Sequence, residues 1–301
     1  MEHSVRAYGI PGCTAEYLPD PDEPIGRWFT MPNTGNSQAV AKTVLDLSPV
    51  APTVLIDPFC GAGSGCLAAR HLGIPFIGAE VDPVLACVST AKALCGPAEG
   101  EALLRPPEGR EGVALRCLRF VHRLQGAAGG GSLSERQLAD DLVRGPALPP
   151  GSAVVHGDAT DPHSWDGLPV PADGVVVFTS PPFYDAWAGP EVPAGLRSEA
   201  RAALAARHPS GDGDPGAGTG TTPGPTPRGY GDLVVGALRA IRTAAPHATA
   251  IIEHEPGSST GDRLPAVAER IVGEVGAESV EILRVGTFSA GGPLSLLVCR
   301  F

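Results

Sequence analysis

The apolar run Val54-Leu55-Ile56 passes directly into Asp57-Pro58-Phe59-Cys60-Gly61-Ala62-Gly63-Ser64-Gly65, and a helical pattern over residues 64–72 follows at once. A buried strand feeding a helix through a glycine-rich turn is the opening unit of a parallel α/β sheet. Glycines let the backbone turn tightly and approach a ligand, and the helix start offers free N–H groups. The turn lacks the Gly-Lys-Ser/Thr ending of a phosphate-binding P-loop. The same rhythm predicts a strand over 75–81, a helix over 83–94, strands over 153–156, 174–179 and 248–253, and helices near 232–243 and 262–275. Two apolar strands, 280–288 and 294–301, joined by Ser289-Ala290-Gly291-Gly292-Pro293, read as a closing antiparallel hairpin.

In such a sheet, ligands bind at the carboxyl ends of the strands. Four predicted strands end in polar or glycine-rich sequence of that kind. The first end is the glycine loop. The second is Gly78-Ala79-Glu80-Val81-Asp82-Pro83, where Glu80, with Asp82 as the alternative, suits the ribose hydroxyls of an adenosine. The third is Gly157-Asp158-Ala159, where Asp158 suits an adenine amino group and, taken alone, a helix cap. The fourth is Thr179-Ser180-Pro181-Pro182-Phe183-Tyr184-Asp185. Two prolines at a strand end leave carbonyl groups that no local N–H claims. With the Ser180 hydroxyl they can accept hydrogen bonds from an amino group, while Phe183, with Tyr184 or Trp187, holds a flat substrate. Glu253-His254-Glu255 ends a fifth strand, and its two carboxylates suit a cationic amine or a proton.

The order Asp57-Pro58-Phe59-Cys60-Gly61-Ala62-Gly63 and then Ser180-Pro181-Pro182-Phe183 resembles the S-adenosylmethionine (SAM)-dependent amino-group methyltransferases, which include DNA adenine-N6 and cytosine-N4 enzymes and some tRNA guanine enzymes. The resemblance spans about residues 27–184. It implies a Rossmann-like class I fold, a mostly parallel seven-stranded sheet ending in an antiparallel hairpin. It also implies SAM as cofactor, held by Thr30, Asp57, Phe59, Gly61, Gly63, Glu80, Asp82 and Asp158. Ser180, Pro181, Pro182 and Phe183 are then the catalytic motif, and Tyr184, Trp187, Glu253 and Glu255 contact substrate. Arg27-Trp28-Phe29-Thr30 resembles the family segment that closes over the methionine end of the cofactor, but Met31-Pro32-Asn33-Thr34-Gly35-Asn36 replaces the basic residue expected after it.

The implied reaction is displacement, in which a substrate nitrogen takes the methyl group of SAM and the protein mainly aligns the reactants. The motif favours the exocyclic amine of a nucleobase in DNA or RNA. The formal charge of −11 and the lack of a separate recognition domain favour a small-molecule amine, by N-methylation or by cyclisation of the SAM aminobutyl group. A SAM-binding scaffold or partner subunit is the non-enzymatic alternative, and a homo-oligomer or partner chain could supply recognition surface.

The chain reads as one domain over 1–301, with an N-terminal arm over 1–36, a helical insertion over 96–150 and a flexible, lid-like loop over 207–231 made of Gly, Pro, Thr and Asp. No apolar run approaches the roughly 20 residues that span a bilayer. No secretory signal opens the sequence, which predicts a cytoplasmic protein. Seven scattered cysteines predict buried free thiols and no metal site. Only Lys42 and Lys92 among 22 basic residues are lysines, which with abundant Ala, Gly and Pro suggests a high-GC bacterial genome.

Overall fold

The computed structural model describes residues 5–8, 20–30, 35–107, 111–127, 132–147, 149–181, 192–205, 229–254, 264–288 and 292–301. These form the strands β1 (Val5–Tyr8), β2 (Val54–Asp57), β3 (Phe76–Glu80), β4 (Ala153–His156), β5 (Val175–Thr179), β6 (Thr249–His254), β7 (Ser279–Phe288) and β8 (Gly292–Arg300). They pair as one eight-stranded sheet in the order β1-β7-β8-β6-β5-β2-β3-β4. The central pairs are parallel, whereas β8 runs antiparallel to both β6 and β7. Strands β2 to β8 alone form the mostly parallel seven-stranded sheet with an antiparallel hairpin at its end that the resemblance implies. The eighth strand is a correction: Val5–Tyr8, within the stretch read as an extended arm, pairs in parallel with β7 at the sheet edge.

Nine helices accompany the strands among the described residues: α1 (Ser37–Leu47), α2 (Ser64–Leu72), α3 (Pro83–Leu94), α4 (Pro97–Leu103), α5 (Val113–Ala127), α6 (Glu135–Arg144), α7 (Ala194–Leu204), α8 (Tyr230–Ala244) and α9 (Leu264–Arg270). Successive side chains along a strand point to opposite faces, and the sheet uses this to build two cores. Leu55, Val176, Phe178 and Ile251 face the layer that holds α1, α2, α3 and α5. Val54, Ile56, Val175, Val177 and Ile252 face the layer of α8 and α9. The central strands are therefore buried on both faces, which is why they read as unbroken apolar runs.

Local chemistry accounts for the boundaries. Asn36 caps α1 by accepting from the Ala39 N–H at 3.0 Å. The hydroxyl of the next residue, Ser37, donates to the Glu23 carboxylate. Asp82 caps α3, whose first residue is Pro83. The 96–150 insertion is helical as expected and contains α4, α5 and α6, of which α4 has no strong periodic signal. The helix α7 was not anticipated. Most of the expected lid over 207–231 lies outside the described residues, and Tyr230 and Gly231 belong to α8. No helix among the described residues is long and apolar enough to cross a membrane.

Candidate active site

The chain runs from β2 outward to β3 and β4, then returns to place β5 on the other side of β2. The switch point of this α/β sheet therefore lies between β2 and β5, where the crevice beyond the strand ends receives ligands. Both main sequence motifs open there. Thr179 at the end of β5 donates its hydroxyl to Asp57 Oδ1 at the end of β2, at 2.8 Å, and the same oxygen accepts from the Phe59 N–H at 3.1 Å. One carboxylate thus ties the glycine loop to the strand that presents Ser180 and Pro181. Ser180 is partly buried and Pro181 buried, while Pro182, Phe183, Tyr184, Trp187 and Glu255 lie outside the described residues.

The loop geometry explains its composition. Gly63, the residue before α2, has φ 89°, a left-handed conformation that costs other residues energy. Gly65 must lack a side chain for another reason: a Cβ there would lie 2.7 Å from Asp57 Oδ2. The Gly61 N–H donates to Glu80 Oε2 at 2.9 Å, and the Gly61 carbonyl accepts from the Ser89 hydroxyl at 2.6 Å. Phe59 is partly buried and packs against the core on the α8 side.

Glu80 also accepts the Asp82 N–H at 2.9 Å through Oε1, so it joins the loop to the turn that starts α3. Asp82 is occupied otherwise. Its Oδ1 takes the Val84 and Leu85 N–H groups at 2.9 and 3.2 Å, and its Oδ2 pairs with Arg197 of α7. Asp158, partly buried beyond β4, takes both the N–H and the hydroxyl of Thr160 through Oδ1 at 2.9 and 2.7 Å. Thr30 is exposed at the end of the 26–29 segment. Glu253 is buried at the end of β6, where its carbonyl accepts from the Tyr230 hydroxyl at 2.7 Å.

Burial pushes both the Asp57 and Glu80 carboxyls up to about 7. For Asp57 the Thr179 and Phe59 hydrogen bonds oppose the shift, and the charges of Glu80 and Glu253 add to it. A carboxyl whose folded pKa is raised keeps a proton that the unfolded chain has released, so its contribution is present at pH 4 and lost as pH rises through about 7. The ligand-free protein is therefore expected to lose melting temperature between about pH 5 and pH 7.5, with a smaller loss in Glu80→Gln. A melting temperature that holds level or rises over that interval, with the same profile in the variant, would contradict this.

Several residues of the site had no role in the sequence reading. Lys92 of α3 is fully buried, and its ammonium donates to the Gly26 and Phe29 carbonyls at 3.1 and 2.8 Å. A lone lysine in an otherwise apolar helix was a legible sign of it. Ser89, one helical turn earlier, and Asp141 of α6 carried no such sign. All six described cysteines are free and buried. Among the described residues no three His, Cys, Asp or Glu side chains gather as metal ligands.

The turn after β2 has the tight glycine geometry of a nucleotide site but, unlike a phosphate loop, it is braced by two buried carboxyls, Asp57 and Glu80. No protein-family model and no curated protein matches the chain. Among solved structures, the rRNA methyltransferase aviRa from Streptomyces viridochromogenes aligns with a TM-score of 0.45 at 20% identity, over 98% of this chain and 90% of its own. Precorrin-6y C5,15-methyltransferase from Geobacter metallireducens aligns with a TM-score of 0.43 at 13% identity, over 95% of this chain and 100% of its own. Magnesium protoporphyrin IX methyltransferase from Synechocystis aligns with a TM-score of 0.38 at 11% identity, over 88% of this chain and 79% of its own.

Proposed function

We propose that this protein is a SAM-dependent methyltransferase that acts on an amino nitrogen, with the exocyclic amine of a nucleobase in DNA or RNA as its substrate. The observation that carries the reading is the Thr179–Asp57 hydrogen bond at the switch point, which holds the glycine loop and Ser180-Pro181 on adjacent strand ends. Glu80 would hold the ribose, the Gly61–Gly63 turn would let the ligand lie against the backbone, and Asp158 would meet the adenine amine. Thr30, Asp57 and Phe59 complete the proposed cofactor site, and Asp82 supports it from behind by capping α3.

When bound, SAM supplies an activated methyl group, and S-adenosylhomocysteine is the product that remains. The protein's part is alignment and exclusion of water, and well-aligned reactants can lower a barrier by about 7–11 kcal/mol. The Ser180 hydroxyl and the Pro181 carbonyl would accept the hydrogens of the substrate amine and so turn its lone pair toward the donor, beside Pro182 and Phe183. A base within a duplex must first be flipped out of the stack.

A second reading has its own support: the buried Glu253 acts on Asp57 as a further negative charge at the crevice, which suits a small cationic amine. The two separate in one experiment. Protein incubated with SAM and DNA, tRNA or a mixture of small amines is expected to yield S-adenosylhomocysteine and methylated nucleosides by mass spectrometry. Ser180→Ala is expected to slow that reaction about 10- to 100-fold, on the scale of one lost hydrogen bond to an amine that gains charge as it reacts. Methylthioadenosine without any modified nucleoside would overturn the nucleobase reading and favour chemistry on the aminobutyl group.

A further inference from the structure

Three helices remote in sequence converge on the short segment Gly26–Phe29. From α6, the fully buried Asp141 accepts from Arg27 Nε at 2.9 Å, Arg27 Nη2 at 2.7 Å and Trp28 Nε1 at 3.1 Å, with Arg144 Nη2 at 2.8 Å completing its shell. From α5, Gln125 Nε2 donates to the Trp28 carbonyl at 2.7 Å. From α3, Lys92 takes the Gly26 and Phe29 carbonyls. Ile25, just before the segment, is fully buried with φ 69°, a conformation a β-branched residue keeps only when its surroundings impose it. Its Cδ1 packs where the insertion ends, 2.6 Å from the place a Cβ at Gly145 would take.

These ties do not serve packing alone. Burying an ammonium and a carboxylate is costly, and apolar side chains of similar size commonly fill such places at no loss of stability. What the polar groups add is direction, because they fix carbonyls and donors of one short turn at defined angles. The place so defined adjoins the cofactor loop. A Cβ at Gly63 would lie 3.3 Å from Lys92 Cδ, and Ser89 on the same helix holds the Gly61 carbonyl. The loop thus has two differently served ends, Gly61 on Glu80 and Gly63 against Cys66 and Lys92.

We infer that the helical insertion is part of the cofactor site: its Asp141 and Gln125, together with Lys92 of α3, act as positioning residues that hold the 26–29 segment at the Gly63 end of the loop for the amino-acid tail of SAM. The inference rests on the SAM reading above. It separates two ligands, because methylthioadenosine shares the nucleoside held by Glu80 and lacks the tail.

The test is calorimetric titration of the full chain and its Asp141→Asn and Gln125→Met variants with SAM and with methylthioadenosine. SAM is expected to bind about 10-fold more weakly to Asp141→Asn, the scale of a lost charge-assisted hydrogen bond. It is expected to bind about 3-fold more weakly to Gln125→Met, the scale of a neutral one. Methylthioadenosine affinity is expected to stay within about twofold in both, well below either effect. Gln125→Met leaves the Arg27–Asp141 ion pair intact and decides the matter if Asp141→Asn does not fold. Unchanged SAM affinity, or equal weakening of both ligands, would overturn the inference. If the wild-type chain binds neither ligand, the SAM reading itself fails and this inference falls with it.

Discussion

Replacing Glu80 by alanine is expected to weaken SAM binding by about 100-fold, close to 2.7 kcal/mol. Glu80 is buried, and each of its oxygens takes one backbone N–H, from Gly61 and from Asp82. Its removal leaves both donors without that acceptor, at about 1–3 kcal/mol for each buried unsatisfied group, and frees the loop that the ligand must meet. It also removes the proposed acceptor for the ribose hydroxyls. Asp82→Ala provides the contrast. Asp82 spends its oxygens on the start of α3 and on Arg197, so its loss costs helix stability, about 1 kcal/mol for a cap, and leaves SAM affinity within a few-fold. Titration calorimetry on the two variants ranks them directly. Equal affinities for wild type and Glu80→Ala would mean that the ligand does not sit at the end of β3.

Asp141→Ala is expected to destabilise the protein by about 2–4 kcal/mol, because the buried Trp28 indole N–H and the partly buried Arg27 guanidinium both lose their acceptor. Asp141 has no exposed surface, and its carboxylate satisfies Arg27 twice, the Trp28 indole and Arg144. Alanine offers none of these an acceptor. For a chain of this size that loss corresponds to a fall of roughly 5–15 °C in melting temperature. Arg144 is largely exposed, so Arg144→Ala is expected to change stability by less than about 1 kcal/mol. Thermal melts followed by circular dichroism separate the two. A melting temperature for Asp141→Ala within a degree or two of wild type would show that water replaces the carboxylate and that the site is not sealed.

Elements set by local periodicity were legible before any tertiary contact was known. The helices over Ser64–Leu72 and Pro83–Leu94 and the strand over Ala153–His156 fall where the sequence places them, since each combines an unbroken pattern with a clear boundary residue. The helices α4 and α7 were not read, for different reasons. The first is seven residues long, and the second is rich in alanine and arginine, with an apolar face seen only once its packing is known. The strand Val5–Tyr8 was hidden because a short edge strand needs a partner to define it, and that partner, β7, lies more than 270 residues away.

By itself, the sequence determined the strand-loop-helix unit, the parallel sheet with its closing hairpin and the strand ends that form the candidate site. Those properties follow from residue periodicity and turn chemistry over a few neighbouring positions. Only the tertiary structure decided how the strand ends share work. It joined Asp57 to Thr179 across the switch point, assigned Glu80 to the loop and Asp82 to a cap and a salt bridge, and brought Lys92 and Asp141 onto one turn. Such partnerships are contacts between residues far apart in the chain, and their geometry exists only when the sheet and its helices have closed around them.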